Sequence, residues 1–476
     1  MKRYKNLLFY VITVAAAIVL IWMTIDRGSQ LQSNKAIPSL IESKRPTGQP
    51  FTAVLKANIQ APLTVLLLQI TTILVAGRFM GYVCRKLKQP AVIGEMIAGI
   101  LLGASFLGHY LPGVSHFLFP PQSLGTLNLL SQVGLVLFMF IVGLELDLGM
   151  LRGKTNTAVV ISHASIVAPF TMGVGLAYFT YRDHAPQGVQ FLSYALFVGI
   201  SMSITAFPVL ARIIQERKLA RTNLGTIAIT CAAADDVTAW CILALVIAVV
   251  KAGSIWSATY TILLSIAYVL LMLKVVKPLL GKPLKQNEEA KLPAGVLAIY
   301  LIVLIASAYL TDAIGIHALF GAFMAGIVMP ADMRFRNFII EKIESVALFL
   351  LLPLFFVSTG LRTEIGLLNS PGLWLLCLVV IVIAVVAKFG VSTLAARFTG
   401  QSWSESLKLG ALMNTRGLTE LVVLNIGYDL GVITPQVFTI LVIMALVTTV
   451  MTGPLLDLIH KIFKKETAGH PAGSAV

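Results

Sequence analysis

Long apolar runs, separated by short polar, basic or Pro/Gly-containing breaks, make up most of the chain. A helix of about 20 mostly apolar residues crosses the roughly 30 Å hydrocarbon layer of a bilayer. Such runs fall at 61–83, 89–108, 126–148, 156–178, 190–213, 224–250, 255–275, 293–310, 315–330, 343–361, 372–396, 405–427 and 433–456, with a further one at 7–25. In lipid every backbone polar group must be satisfied internally, so these runs predict helices. The expected fold class is an all-α polytopic membrane protein with about 13 core spans plus one N-terminal helix.

The run at 7–25 follows the basic residues Lys2, Arg3 and Lys5. It is longer than a secretory h-region, and its small-residue cluster, Ala15-Ala16-Ala17, lies inside it rather than after it, which favours a retained signal-anchor helix over a cleaved signal. Residues 26–60 read as a polar linker. The expected organisation is therefore an N-terminal helix and linker over 1–60, a transmembrane domain over 61–459, and a short tail over 460–476.

Basic residues gather at Arg85, Lys86 and Lys88; at Arg152 and Lys154; at Arg212, Arg217, Lys218 and Arg221; at Lys274, Lys277, Lys282, Lys285 and Lys291; at Arg334, Arg336 and Lys342; and at Lys461, Lys464 and Lys465. If the spans alternate, all of these clusters fall on one side, the cytoplasmic one, and both termini lie there too. The expectation is a multi-pass protein of a bacterial inner membrane, surrounded by lipid. Composition agrees, since 57% hydrophobic against 12% charged residues and a mean hydropathy of +0.89 exclude an ordinary soluble protein. The net charge of +15 belongs to the cytoplasmic loops, and no nucleic-acid motif accompanies it. Cys84, Cys231, Cys241 and Cys377 lie in or beside apolar runs, which argues against a disulfide framework and fits no zinc spacing. His163 and His317 lie in or at the start of spans, where packing roles outweigh pH sensing.

The spans carry an internal symmetry. The triplet within 156–250 has a counterpart seven spans later within 372–456, and an odd offset means opposite orientation, the mark of an inverted repeat. The middle member of each triplet is interrupted. Pro208 follows Ser203, Thr205 and Phe207 in the first, and Asn414, Thr415, Arg416, Gly417 and Glu420 break the second. A proline removes a backbone donor and clashes with the preceding turn. A packing kink would explain Pro208 alone, but paired interruptions at matching depth point to a transporter binding site, with half-helix ends near the midplane and freed carbonyls for a cation.

Ionisable residues at that depth are expensive and read as functional. Asp235 and Asp236 sit in the middle of the 224–250 run. Neighbouring helical residues point about 100° apart, so the two cannot share a proton face to face and need different partners. Lys388 lies at matching depth in the first helix of the second triplet and is the natural partner for one of them, since a buried lysine needs a partner or must give up its proton. Arg416 and Glu420, four residues apart, can pair along one helix face and support the second broken helix. The Gly99 to Gly103 spacing suits close helix packing, within the chain ahead of dimerisation. Glu145 and Asp147 end their span near the cytoplasm, either as a solvated helix end or as an attractor of cations.

Several motifs occur together in order: GEMIAGILLG at 94–103, FIVGLELD at 140–147, TAFPVLAR at 205–212, the double-aspartate helix, and MNTRGLTEL at 413–421. In these the chain resembles the monovalent cation:proton antiporter-2 family over about 61–459. Ala104 departs from the resemblance, standing where many relatives have proline. The resemblance implies a sodium/proton-antiporter-like fold with two crossed broken helices, usually a homodimer, in which a core moves against a dimerisation domain. It further implies that Asp236 is the main carrier of Na⁺ or K⁺ and protons, that Asp235 shares this cation- and proton-binding site while pairing with Lys388, and that Thr205 contributes at the unwound crossing. Pro208, Asn414, Arg416 and Glu420 would support the broken helices. No cofactor and no enzymatic activity are expected. The 461–476 tail is too short for an attached nucleotide-binding domain, which leaves a separate regulatory subunit open.

Other classes compete less well. A channel would want a filter-like carbonyl repeat, which is not apparent. An intramembrane aspartyl protease would need aspartates on facing helices. A sodium-coupled organic-anion symporter on a related fold is the alternative within transporters, and Lys388 with the paired aspartates argues for proton exchange instead.

Overall fold

The computed structural model describes residues 2–32, 51–145, 155–219, 222–252, 258–280, 294–330 and 333–468. Asp147 and the loop bases Arg152, Lys154, Arg221, Lys282, Lys285 and Lys291 lie outside the described residues, as do 33–50 of the expected linker and 469–476 of the expected tail. Every regular element among the described residues is helical. The N-terminal unit, Met1–Gln60, contains α1 (Lys2–Gln32) and α2 (Phe51–Ile59). α1 runs seven residues past the expected 7–25, and part of the presumed linker is helical.

The second unit, Ala61–Val476, holds the bundle. It begins with α3 (Pro62–Lys86), α4 (Ala91–Leu102), the short α5 (Leu107–Tyr110) and α6 (Pro112–Leu118), and α7 (Pro121–Glu145). The first triplet follows as α8 (Thr155–His184), α9 (Phe191–Ser203), α10 (Phe207–Glu216) and α11 (Asn223–Ala252). After these come α12 (Thr259–Leu280), α13 (Ala294–Ile314), α14 (Ala318–Val328), α15 (Met333–Val346) and α16 (Leu352–Leu361), the last two joined by a π turn at Ala347–Leu351. The second triplet is α17 (Pro371–Phe398), α18 (Trp403–Met413), α19 (Leu418–Asp429) and α20 (Pro435–Ala468). Ten described helices are long and apolar enough to cross a membrane. The run expected to span at 315–330 forms only the 11-residue α14, whose length of about 16 Å falls short of the bilayer core.

Both interruptions have local causes. Proline is tolerated in the first turn of a helix, where no backbone donor is needed, and so suits a place where a helix begins. Accordingly α9 stops at Ser203, Ala206 is extended at φ −84° and ψ 96°, and α10 restarts at Phe207-Pro208. In the second triplet 415–417 are non-helical between α18 and α19. The two breaks cross in contact, with the Ala206 amide donating to the Thr415 carbonyl at 3.1 Å. Gly417 is required there, because a Cβ would come within 2.7 Å of the Val209 side chain.

Close helix approaches sort the bundle into two packed sets. Gly143 and Gly326 bring α7 and α14 together, a Cβ on Gly143 meeting the Phe323 carbonyl at 2.2 Å. Gly99 and Gly360 do the same for α4 and α16, so the 99–103 glycines pack within the chain. Inside the triplets, Gly173 meets Gly199 and Gly410 meets Thr393. Among the described residues, every such approach closer than 3.0 Å stays within α3–α7 and α13–α16 or within α8–α11 and α17–α20.

Polar contacts sort the loops to two ends of α20. At its start Thr434 donates to the His184 carbonyl, and near its other end Asp457 pairs with Arg217. The Gln89 amide donates to the Val450 carbonyl, midway along α20. His317 has a structural task, its ring nitrogen accepting from the Leu319 amide to cap α14. His163 sits on an exposed face of α8, bonded to the Val159 carbonyl.

A side chain at Gly143 forces α7 from α14, and overpacking of this kind costs about 1–3 kcal/mol or more. Gly143→Val is therefore expected to lower the melting temperature in detergent by several degrees, whereas Gly125→Ala, where a Cβ meets nothing within 4 Å, is expected to leave it unchanged or raise it. Equal melting temperatures for wild type and Gly143→Val would remove this crossing from the stability of the fold.

Candidate functional site

The candidate residues converge where the two breaks cross, and the two aspartates have unlike surroundings. Asp235 is fully buried and saturated. Ser162 donates to its Oδ1 at 2.6 Å, while Ser165 and Thr205 donate to Oδ2, each at 2.7 Å. Lys388 Nζ stands 3.7 Å from the same oxygen. That distance is an ion pair without a hydrogen bond. At an effective dielectric near 20 it contributes about 4 kcal/mol, and three hydroxyl donors to a charged group add roughly 1.5–3 kcal/mol each. Together they offset the several kcal/mol that burying a carboxylate costs.

Ser162 and Ser165 come from α8 and are not singled out by the sequence reading. Their signal is a Ser-x-x-Ser pair in mid-span, which places two hydroxyls on one helix face. Thr205 lies in the first break and also reaches the Met413 carbonyl at the second, 3.3 Å away. It thereby ties Asp235 to both broken helices.

Asp236 is equally buried, at 1% exposure, yet neither of its carboxylate oxygens bonds to a described protein group. The same is true of both side-chain amide atoms of Asn414, the residue that ends α18. Buried polar atoms without partners are uncommon in folded proteins and call for an explanation. Both belong to the crossing, one beside Asp235 in sequence and the other beside Met413. A carboxylate and a carboxamide present hard oxygen donors, the ligand type that alkali cations take. Among the described residues no group of three His, Cys, Asp or Glu side chains could hold a metal ion.

Lys388 and Arg416 share a further task. α9 ends inside the bundle with its last carbonyls unpaired within the helix, and a helix C-terminus carries a partial negative charge of about half an electron. Lys388 Nζ donates to the carbonyls of Ser203 and Ser165, the latter at 2.9 Å. Arg416 donates to the carbonyls of Ser201 at 3.1 Å and Met202 at 2.6 Å. Arg416 also pairs with Glu420 at 3.0 Å, both fully buried. The pairing expected along the second broken helix is present, but the guanidinium serves chiefly to cap the first. Lys388 lies in a π turn, Val386–Gly390, a local widening that often marks functional positions in helices. Pro208 begins α10 as described above.

The family described as sodium/hydrogen exchanger, transmembrane, matches residues 70–461. The Na(+)/H(+) antiporter NhaS4 of Synechocystis is 42% identical over 400 residues, 84% of this chain and 98% of its own. Cation/H(+) antiporter 17 of Arabidopsis thaliana is 40% identical over 86% of this chain, and the K(+)/H(+) antiporter 1 of Saccharomyces cerevisiae is 34% identical over 85%. The chain spans about half the length of these last two relatives. Among solved structures the sodium proton antiporter MjNhaP1 of Methanocaldococcus jannaschii shares the fold, with a TM-score of 0.60 over 83% of this chain and 96% of its own at 15% identity. Antiporters are transporters rather than enzymes. By its match over most of its length, the chain belongs to the sodium/hydrogen exchanger family of transmembrane cation/proton antiporters.

Proposed function

We propose that the protein exchanges a monovalent cation, Na⁺ or K⁺, for protons by alternating access, with Asp236 as the exchanging group. The observation that carries this reading is the contrast between the two aspartates. Asp235 has every partner a buried carboxylate needs, whereas Asp236 has no protein partner among the described residues. A carboxylate in that position is stable when a proton neutralises it or when a cation sits against it, and far less so when it is bare. Proton and cation then compete for one group. Competition enforces exchange, because the bare charged site crosses poorly. Asn414 and Thr205 supply the oxygen atoms nearest the crossing in this reading, and Asp235 with Lys388 holds the geometry.

The names of relatives that pair Na⁺, K⁺ or an unspecified cation with H⁺ support the same substrate class. The reading includes a transmembrane domain over 61–459, a homodimer, and a bacterial inner-membrane location with both termini cytoplasmic, as the basic loops suggest.

The direct test is cation-dependent proton flux in proteoliposomes with a preset pH gradient. Addition of Na⁺ or K⁺ is expected to dissipate the gradient through wild type. Asp236→Asn is expected to abolish this while leaving the melting temperature within a degree or two, because the amide keeps the shape and cannot cycle a proton. Full flux through Asp236→Asn would remove Asp236 from the mechanism.

Lys388→Ala tests the supporting charge. Removing one member of a buried pair costs about 3–5 kcal/mol, so a clear fall in melting temperature is expected. The variant also takes a positive charge from beside two carboxylates, which makes them harder to deprotonate, so the pH of half-maximal flux is expected to move upward. An unchanged melting temperature and pH profile would refute the pairing with Asp235.

A further inference from the structure

One buried polar group on the aspartate helix has no task in the exchange just described. Trp240 is 2% exposed, and its indole Nε1–H donates to no described protein group. Trp240 follows Asp236 by four residues on α11, so the two share a helix face. Long side chains on a helix lean back over the turn N-terminal to their own Cα, which here is the turn that bears Asp236. Phe323 of α14 stacks on the indole with ring centroids 6.1 Å apart and planes 29° apart. Two orphaned groups, one a pure donor and the other a pure acceptor when charged, thus lie on one face of one helix.

An indole N–H cannot ligate a cation. It can donate to an oxygen of the Asp236 carboxylate, the orphaned acceptor on its own helix face, or to a water molecule held by the ion. We propose that Trp240 is a positioning residue for Asp236: its N–H bonds the carboxylate directly when that is charged and empty, and a water of the partly hydrated cation when it is loaded. This rests on the exchange reading above and adds to it that one coordination position of the ion is kept by water under the indole. Few charges surround the pair. Asp235 and, from α17, Lys388 act on Asp236. α8 turns the serines Ser162 and Ser165 to the site, the breaks contribute Thr205 and Asn414, and Arg416 is engaged with Glu420 and the α9 carbonyls. α14 carries no ionisable side chain.

Two variants of the full chain test the proposal. In the first, Trp22, Trp256, Trp374 and Trp403 are replaced by Phe, which leaves Trp240 as the one indole of the original five. Its emission in detergent is expected to titrate with pH. The midpoint is expected to move about one unit lower in Na⁺ or K⁺ at about ten times its dissociation constant, since the cation binds the deprotonated form. The titration is expected to vanish on adding Asp236→Asn. In the second, Trp240→Phe keeps the aromatic stack and removes the N–H. The variant is expected to keep the wild-type melting temperature, and below the midpoint pH, where a proton must be displaced from Asp236, KM for the cation is expected to rise up to about tenfold, since the charged carboxylate has lost one hydrogen bond that the protonated one does not need. Its pH profile is expected to move upward, because the charged carboxylate loses a donor. Emission that ignores pH, a titration that persists with Asp236→Asn, or wild-type KM and pH profile in Trp240→Phe would each overturn the role of Trp240. An intact, Asp236-dependent titration in a wild-type protein without coupled flux would uphold it and overturn the exchange reading instead.

Discussion

The rest of the site depends on how the carbonyl end of α9 is neutralised inside the bundle. A helix that stops in an apolar interior leaves several carbonyls and a partial negative charge unanswered. Here Arg416 takes the Ser201 and Met202 carbonyls and Lys388 takes that of Ser203. Both cations come from the second triplet, so the first broken helix can end where it does only because its counterpart lies across it. Each cation in turn needs an anion at the same depth, and Glu420 and Asp235 supply them. One interrupted helix thereby entails two buried ion pairs.

That arrangement leaves Asp236 over. Two cations answer two carboxylates and, less completely, the end of α9. A third carboxylate adds a negative charge that has no ion pair or hydrogen bond of its own among the described residues, only the more distant pull of Lys388. Under the proposed exchange this deficit is the driving constraint. The cluster reaches neutrality by taking either a proton or a cation from outside, and Asp235 cannot do so in its place because three hydroxyls and an ammonium already occupy it. Adjacency in sequence therefore produces a division of labour, set by which helix face each carboxylate meets.

Much of this is legible in the sequence. Run length gives the helices, Pro208 and Gly417 mark the breaks, and the depth of Asp235, Asp236 and Lys388 singles them out before any fold is known. What escapes is everything that depends on which faces meet. Ser162 and Ser165 look like ordinary mid-span hydroxyls until α8 is laid against α11. Arg416 has an obvious partner four residues on, so its longer reach to α9 is hidden. The π turn at Lys388 follows from tertiary packing, not from propensity, and the run at 315–330 is apolar enough to suggest a full span although only 11 of its residues are helical. Trp240 reads as core, and its ring is core; only the unpaired nitrogen gives it a further meaning.

The distribution of contacts also bears on how such a site could face two sides in turn. The close glycine approaches hold each of the two sets of helices together and do not join one set to the other. Between the sets, polar contacts concentrate at the end of the bundle that holds Asp429. There Arg362 reaches Asp429 at 2.8 Å and Asn425 at 3.1 Å, Asn425 donates to Thr359 at 2.9 Å, and the Glu364 amide donates to Thr439. Gln89 also donates across to the Val450 carbonyl, midway along α20. In the middle, the Trp240–Phe323 stack joins the sets ring on ring. Stacked rings can slide without breaking an ion pair, whereas the Arg362 cluster must be pulled apart. Under the proposed exchange, the Asp429 end is the stiffer junction between the sets and the Trp240–Phe323 stack the softer one. The Arg362–Asp429 pair joins partly exposed groups, where such a contact is worth about 1 kcal/mol at most, small enough, under that proposal, for ion binding at the crossing to shift the balance between two states.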